Sequence, residues 1–295
     1  MDYFFQVTLN GLMLCGLYAL MAQGLALIWG VLKVVNLAHG EFIVLGAFLA
    51  WWGFGEFGWD PYLAAPLIGL VGAGLGWLVS RAVVLPLLGQ HFLMTLLATF
   101  GLAIVMQSLM TLTFGSSARV TDVPYAATGF GVLGVRVPLI GAVNAVAAFS
   151  VLGLLWLFLH RTRPGKAMRA VSENQEAGRL VGIDLKKVYG LAVAVAIGLT
   201  TVSGALLSSI EPFYPFAGPP LTLKVFAIVA LGGLGSMRGI VLAAALVALT
   251  ESYVGAYVPE IGTGLGAAVA FILLVVVLAL RPGGVAGARA TAGHA

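Results

Sequence analysis

The chain has 295 residues, 61% of them hydrophobic and only 9% charged, with a mean hydropathy of +1.06. A soluble domain carries about 25% charged residues, so this chain lacks the polar surface to stay dissolved as a globule. Its long unbroken apolar runs also exclude the alternating pattern of an outer-membrane barrel. The formal charge of +4 lies beside apolar runs and is nowhere interleaved with aromatics, which points to orientation in a membrane and not to nucleic acid.

A spanning helix needs roughly 20 mainly apolar residues. In chain order the candidates are 5–30, 42–57, 61–84, 92–114, 138–160, 189–210, 225–236, 239–257 and 262–280. The opening MDYFFQ lacks the basic stretch of a cleaved signal peptide, so the first run is expected to stay as a signal anchor. It holds the only cysteine, Cys15, which leaves no disulfide or cysteine metal cluster within one chain. The fold class is an all-α, polytopic transmembrane helical bundle of eight or nine membrane segments with broken or re-entrant helices. Residues 1–281 form a single transmembrane domain, and the tail 282–295 is expected to be disordered.

The first polar interruption is Asn36 to Phe42, NLAHGEF. Polar groups near membrane depth are costly and usually functional. Asn36, His39 and Glu41 are therefore candidates for the translocation path, the alternative being a capped turn in an interfacial loop. Gly72 with Gly76 and Gly262 with Gly266 are GxxxG pairs, read as close helix packing first and as a subunit interface second.

Residues Arg161 to Lys187 are the least lipid-like part of the chain. They carry seven of its fifteen Lys and Arg residues against three acids. The positive-inside rule places 161–188 on the cytoplasmic side and the N-terminus outside. A crossing 225–236 then puts Arg238 and Arg281 inside, which favours nine crossings. Within the loop, Lys166 to Gly182 is expected to form one short amphipathic helix whose apolar positions are Met168, Val171, Leu180 and Val181. Such a helix lies on the bilayer or docks into a partner groove.

The second interruption, Ala230 to Gly239, is ALGGLGSMRG. Its Gly232, Gly233 and Gly235 fit either a helix break at the path or a short turn. Glu211 to Pro215 reads as an interfacial anchor, and Glu251 as a gating carboxylate or an inert hydrogen-bonded one. The run Ile43 to Ala47 is echoed at Ile240 to Ala244, a sign of a possible internal two-fold repeat. The chain contains no GxxxxGK[ST], HExxH or GxSxG motif, and its four histidines are scattered. No cofactor or metal is called for, and energy for active transport must come from an ion gradient or a partner.

Three segments together resemble inner-membrane permeases of branched-chain amino acid importers driven by ATP-binding-cassette subunits. These are Val35 to Phe42, Gly165 to Ile183 and Ala230 to Gly239, in the family's order, and the likeness covers nearly the whole chain. It is greatest to the shorter of the two paired permeases. The resemblance implies a multi-pass protein of the inner membrane with several partners: a homologous second permease in a heterodimer, two cytoplasmic ATPase subunits and an external substrate-binding protein. It implies that ATP hydrolysis resides in those partners, so that this chain is not itself an enzyme. The loop helix would seat in an ATPase groove through Arg169, Glu173, Asn174, Ala177 and Gly182. Gly178 stands where the family would have Ala, which loosens the helix by up to about 1 kcal/mol. A urea or short-amide permease of the same family, and an ion-coupled transporter using Glu251 or Glu41, are the alternatives.

Overall fold

The computed structural model describes residues 2–132, 134–233, 236–258 and 266–280. Eleven helices are α1 (Asp2–Leu32), α2 (His39–Phe57), α3 (Pro61–Leu87), α4 (Phe92–Phe114), α5 (Leu139–Arg161), α6 (Arg163–Glu173), α7 (Gln175–Leu180), α8 (Leu185–Leu207), α9 (Gly218–Gly232), α10 (Met237–Tyr257) and α11 (Gly266–Leu280). Seven segments of the described chain are long and apolar enough to cross a membrane: α1, α3, α4, α5, α8, α10 and Pro215–Gly232, which is α9 with the turn before it. One departure from an all-α chain is an antiparallel hairpin, β1 (Gly129–Val132) and β2 (Val135–Pro138), inside the expected loop 115–137.

The ends of the helices follow from local chemistry. Asp60 caps α3 by accepting from the Tyr62 amide at 2.9 Å, with Pro61 at the first helical position. Gly58 ends α2 in the left-handed conformation, φ 65°, its amide and that of Trp59 returning to Phe54 and Gly53 carbonyls. A π turn at Ser80–Val84 precedes Pro86, which has no amide to donate.

Helices α1 and α8 form the buried centre. Helix α3 packs along α8 and α10 packs along α1, while α2 and α9 meet each other and flank the central pair. The contacts match α1 with α8, α2 with α9, α3 with α10 and α4 with α11, as an inverted two-fold repeat would. The sequence echo is out of step with this arrangement, because it aligns α2 with α10. Short apolar strings match by composition alone.

Close approach explains many of the glycines. A methyl at Gly204 of α8 would overlap the Ile43 carbonyl of α2, and one at Gly72 of α3 would overlap the Thr201 hydroxyl of α8. At Gly76 it would lie 2.9 Å from the Ala194 Cα. Gly72 and Gly76 thus serve packing within the chain; Gly262, partner of Gly266, lies outside the described residues. Gly204→Ala is expected to cost about 1–3 kcal/mol by overpacking, read as a lower unfolding temperature in detergent. Gly74→Ala, which meets nothing within 4 Å, is the matched control.

The two faces of the bundle are chemically distinct. On one, Gln6 exchanges hydrogen bonds with the main chain of Arg136 at 2.7 and 2.9 Å, and the Tyr3 hydroxyl donates to the Ala256 carbonyl at 3.1 Å. This joins the start of α1, the hairpin and the end of α10. On the other, Gln175 of α7 donates to the Val31 carbonyl at the end of α1, 3.1 Å away. Helix α8 ends on the hairpin face, where Asn144 donates to Leu206, and α10 begins on the opposite one. The segment 208–232 therefore passes from face to face and does not return to the side it left.

Candidate functional site

The loop Arg161 to Lys187 folds as two helices, not as the single one expected. Asn174, extended at φ −153° and ψ 110°, ends α6 and caps α7 by accepting from the Ala177 amide at 3.0 Å. An asparagine side chain offers the backbone an alternative to continuing the helix, and here it prevails. Thr162 caps α6 and Asp184 caps α8. The Lys187 amide and side chain hold the Asp184 carboxyl below its usual range. Gly182, at φ 82°, makes the turn between them.

The apolar positions of this loop divide. Met168 and Val171 are buried against α1, α5 and α8, whereas Leu180 is 89% exposed and Val181 75%. Gly165 lets α6 turn tightly under α5, since a side chain there would overlap the Phe158 carbonyl. Gly178 is buried, and a methyl on it would lie 3.3 Å from Val171, so glycine here sets how closely α7 approaches α6. Arg169, Glu173, Asn174, Ala177 and Gly182 are all exposed on this one face.

The second polar cluster lies deep in the bundle. Helix α1 ends at Lys33, a non-glycine residue with φ 58°. The chain then turns back, Asn36 accepting from the Ala38 amide at 3.1 Å and Leu37 donating to Thr99 of α4 at 3.2 Å. His39 Nε2 lies 3.0 Å from the Met21 carbonyl, eleven residues from the end of α1, or about 16 Å along it. Helix α2 thus begins well inside the bundle. Its first turn abuts the start of α9: the Gly40 amide donates to Thr222 at 2.8 Å, and the Glu41 carboxylate occupies the space a side chain on Gly218 would need. Gln107 of α4 donates to Glu41 Oε1 at 2.8 Å, while the buried Oε2 has no partner among the described residues. Two helix N-termini meet at a carboxylate, a favourable electrostatic arrangement.

Glu251 takes no part in that cluster. It pairs with Lys224 of α9 at 3.0 and 3.2 Å and accepts from the Tyr18 hydroxyl at 2.9 Å. Lys224 also lies over the Tyr18 ring, 4.7 Å from its centroid. Of the glycine motif, Gly232 packs flat against Ile240 at the α9–α10 turn and Gly233 takes φ 85°. Gly235 lies outside the described residues. Phe213 is wholly buried, edge-on to Phe48, whose ring stacks on Phe114, so Glu211 to Pro215 plugs the bundle at this residue where an interfacial anchor was expected.

Helices that begin at mid-depth, opposed N-termini and a polar two-helix element on one face make a transporter's frame. Residues 7–278 match the family model for the permease component of the branched-chain amino acid transport system. The chain belongs to this family. It is 28% identical to the high-affinity branched-chain amino acid transport system permease protein LivH of Escherichia coli K12, over 97% of this chain and 96% of that one. The corresponding BraD protein of Pseudomonas aeruginosa is 29% identical over the same shares. A 102-residue stretch, 34% of the chain, is 34% identical to the ribose import permease protein RbsC of Bacillus subtilis, of which it covers 30%. Among solved structures, PsaBC from Streptococcus pneumoniae in complex with Fab matches with a TM-score of 0.51 and 12% identity, over 90% of this chain and 89% of that one. That likeness concerns the fold alone. The family is one of transport permeases, and the protein is a multi-pass protein of the inner membrane.

Proposed function

We propose that this chain is the membrane subunit of an ATP-binding-cassette importer for branched-chain or other hydrophobic amino acids. It pairs with a homologous permease, is driven by two cytoplasmic ATPase subunits that hydrolyse the ATP, and receives cargo from an external binding protein. The N-terminus and the hairpin face outward, α6 and α7 face the cytoplasm, and the chain crosses nine times. The carrying observation is the loop face: Leu180 and Val181 project outward as bare apolar side chains, on the same α6–α7 element as the exposed Arg169, Glu173, Asn174, Ala177 and Gly182. An exposed apolar knob with a polar rim is the form of a docking site. Behind it, Met168 and Val171 anchor α6 in the core, so a push on α7 reaches α1 and α8.

Alternating access then works at the α2–α9 junction, with Asn36, His39 and Glu41 along the path, Gly232 and Gly233 at the other end of α9 and Glu251 in its paired position. Glu173→Arg and Gly182→Trp are each expected to lower cargo uptake at least tenfold while leaving membrane insertion unchanged. Uptake measured in proteoliposomes of the whole complex tests this, and normal uptake in both variants removes the docking role. One observation serves the ion-coupled alternative, the buried Glu41 Oε2, which has no partner among the described residues. Uptake that collapses with a protonophore but survives ATP depletion would support that reading.

A further inference from the structure

A cleft of about 1290 Å³ opens between α1, α5, α6 and the start of α10, on the face that carries α6 and α7. It is larger than the roughly 300–1,000 Å³ of a small-molecule pocket. Its walls are divided. Ala26, Leu27, Leu152, Val241 and Leu242 line the apolar part, while Lys33, His160, Arg169 and Arg238 stand with Glu173 as its titratable and charged lining. Among the described residues neither Lys33, Arg169 nor Arg238 pairs with a carboxylate. Lys33 also holds a left-handed backbone that glycine would hold more cheaply.

The glycines of this cleft are unlike those of the α2–α8 contact. Gly30 and Gly153 both line it, and a methyl on either meets no atom within 4 Å. Glycine within a helix costs about 1 kcal/mol relative to alanine, and no close approach among the described residues accounts for it here. No described residue fills the room they leave.

We propose that an anionic phospholipid of the adjoining leaflet occupies this cleft. Its acyl chains lie along α1, α5 and α10, and its phosphate sits among Lys33, Arg169 and Arg238. Basic residues at a membrane face attract anionic headgroups, about fivefold in affinity for each. The excess of three fixed cations over Glu173 supplies the charge complementarity that a zwitterionic lipid does not satisfy. The lipid would lie directly under α6. This site adjoins the proposed ATPase-facing surface and shares Arg169 and Glu173 with it, but not the knob at Leu180, and its readout, lipid retention, does not depend on the transport reading.

The test is native mass spectrometry of the intact complex from detergent, incubated with phosphatidylglycerol or with phosphatidylcholine. Phosphatidylglycerol is expected to be retained at least fivefold better. Lys33→Gln with Arg238→Gln should bring it down to the phosphatidylcholine level. Gly153→Trp, or Gly30→Phe if the first does not fold, should expel both lipids, whereas Leu154→Trp, an exposed residue of α5 beside the cleft, should not. Equal retention of the two lipids overturns the proposal. So does Gly153→Trp releasing the second permease subunit while lipid retention stands, since the occupant is then protein. An aqueous vestibule would show instead as Gln23→Leu, on the cleft wall, slowing uptake with no lipid preference.

Discussion

Replacing Leu180 and Val181 together by aspartate is expected to abolish ATP-driven uptake and leave the permease folded. The two side chains are 89% and 75% exposed, so the chain's own stability should change by no more than about 0.5 kcal/mol. In the proposed complex they are the apolar centre of the α6–α7 face. Burying an aliphatic side chain is worth about 1.5–3 kcal/mol, so losing both removes about 3–6 kcal/mol of docking. That is roughly two to four orders of magnitude in affinity, before the cost of desolvating two carboxylates. Co-purification of the ATPase subunits should fall accordingly. Leu180→Met with Val181→Ile, which keeps the surface apolar, should retain most activity.

Lys224→Met should be the most destabilising single change on the polar inventory of the bundle. Lys224 and Glu251 are mostly buried and neutralise each other, with Tyr18 completing the set. Removing one member of a buried pair leaves an uncompensated charge, at a cost of about 3–5 kcal/mol. The unfolding temperature in detergent should drop and less protein should accumulate in the membrane. Lys224→Met combined with Glu251→Leu should recover most of the loss, because a buried pair is often replaceable by apolar residues of similar volume. A double variant as unstable as the single one would mean that the pair has no such coupling.

Those residues also mark where the sequence was readable. The membrane class, the order of the helices and the polar face at 161–188 follow from composition, run length and charge, because the bilayer imposes them directly. Site residues within the membrane were harder to place. A run set to begin at residue 225 starts one position after Lys224 and so hides it. The helix begins at Gly218, and taking the glycine and two prolines as its first turn would have put a lysine inside a spanning helix, with Glu251 as its obvious partner. The break at Asn174 was legible too, since asparagine followed by Gln175 and Glu176 is a helix start. Read as one helix, the run grouped Leu180 with Met168 as apolar positions, whereas across the break Met168 is buried and Leu180 faces solvent. By contrast, no local signal brings Gln107 to Glu41 or Gly218 to its carboxylate. These contacts join α2, α4 and α9, far apart in the chain, and arise only from how the helices pack.

On the proposed function, force enters through α6 and α7 from partner ATPases. This is tested most directly by leucine uptake into proteoliposomes holding the whole complex and its binding protein, with ATP inside or absent and with or without a protonophore. Uptake should require ATP, ignore the protonophore and be lost in the Leu180→Asp, Val181→Asp variant. Uptake that proceeds without ATP, or that the double variant sustains at the wild-type rate, would contradict the proposed function.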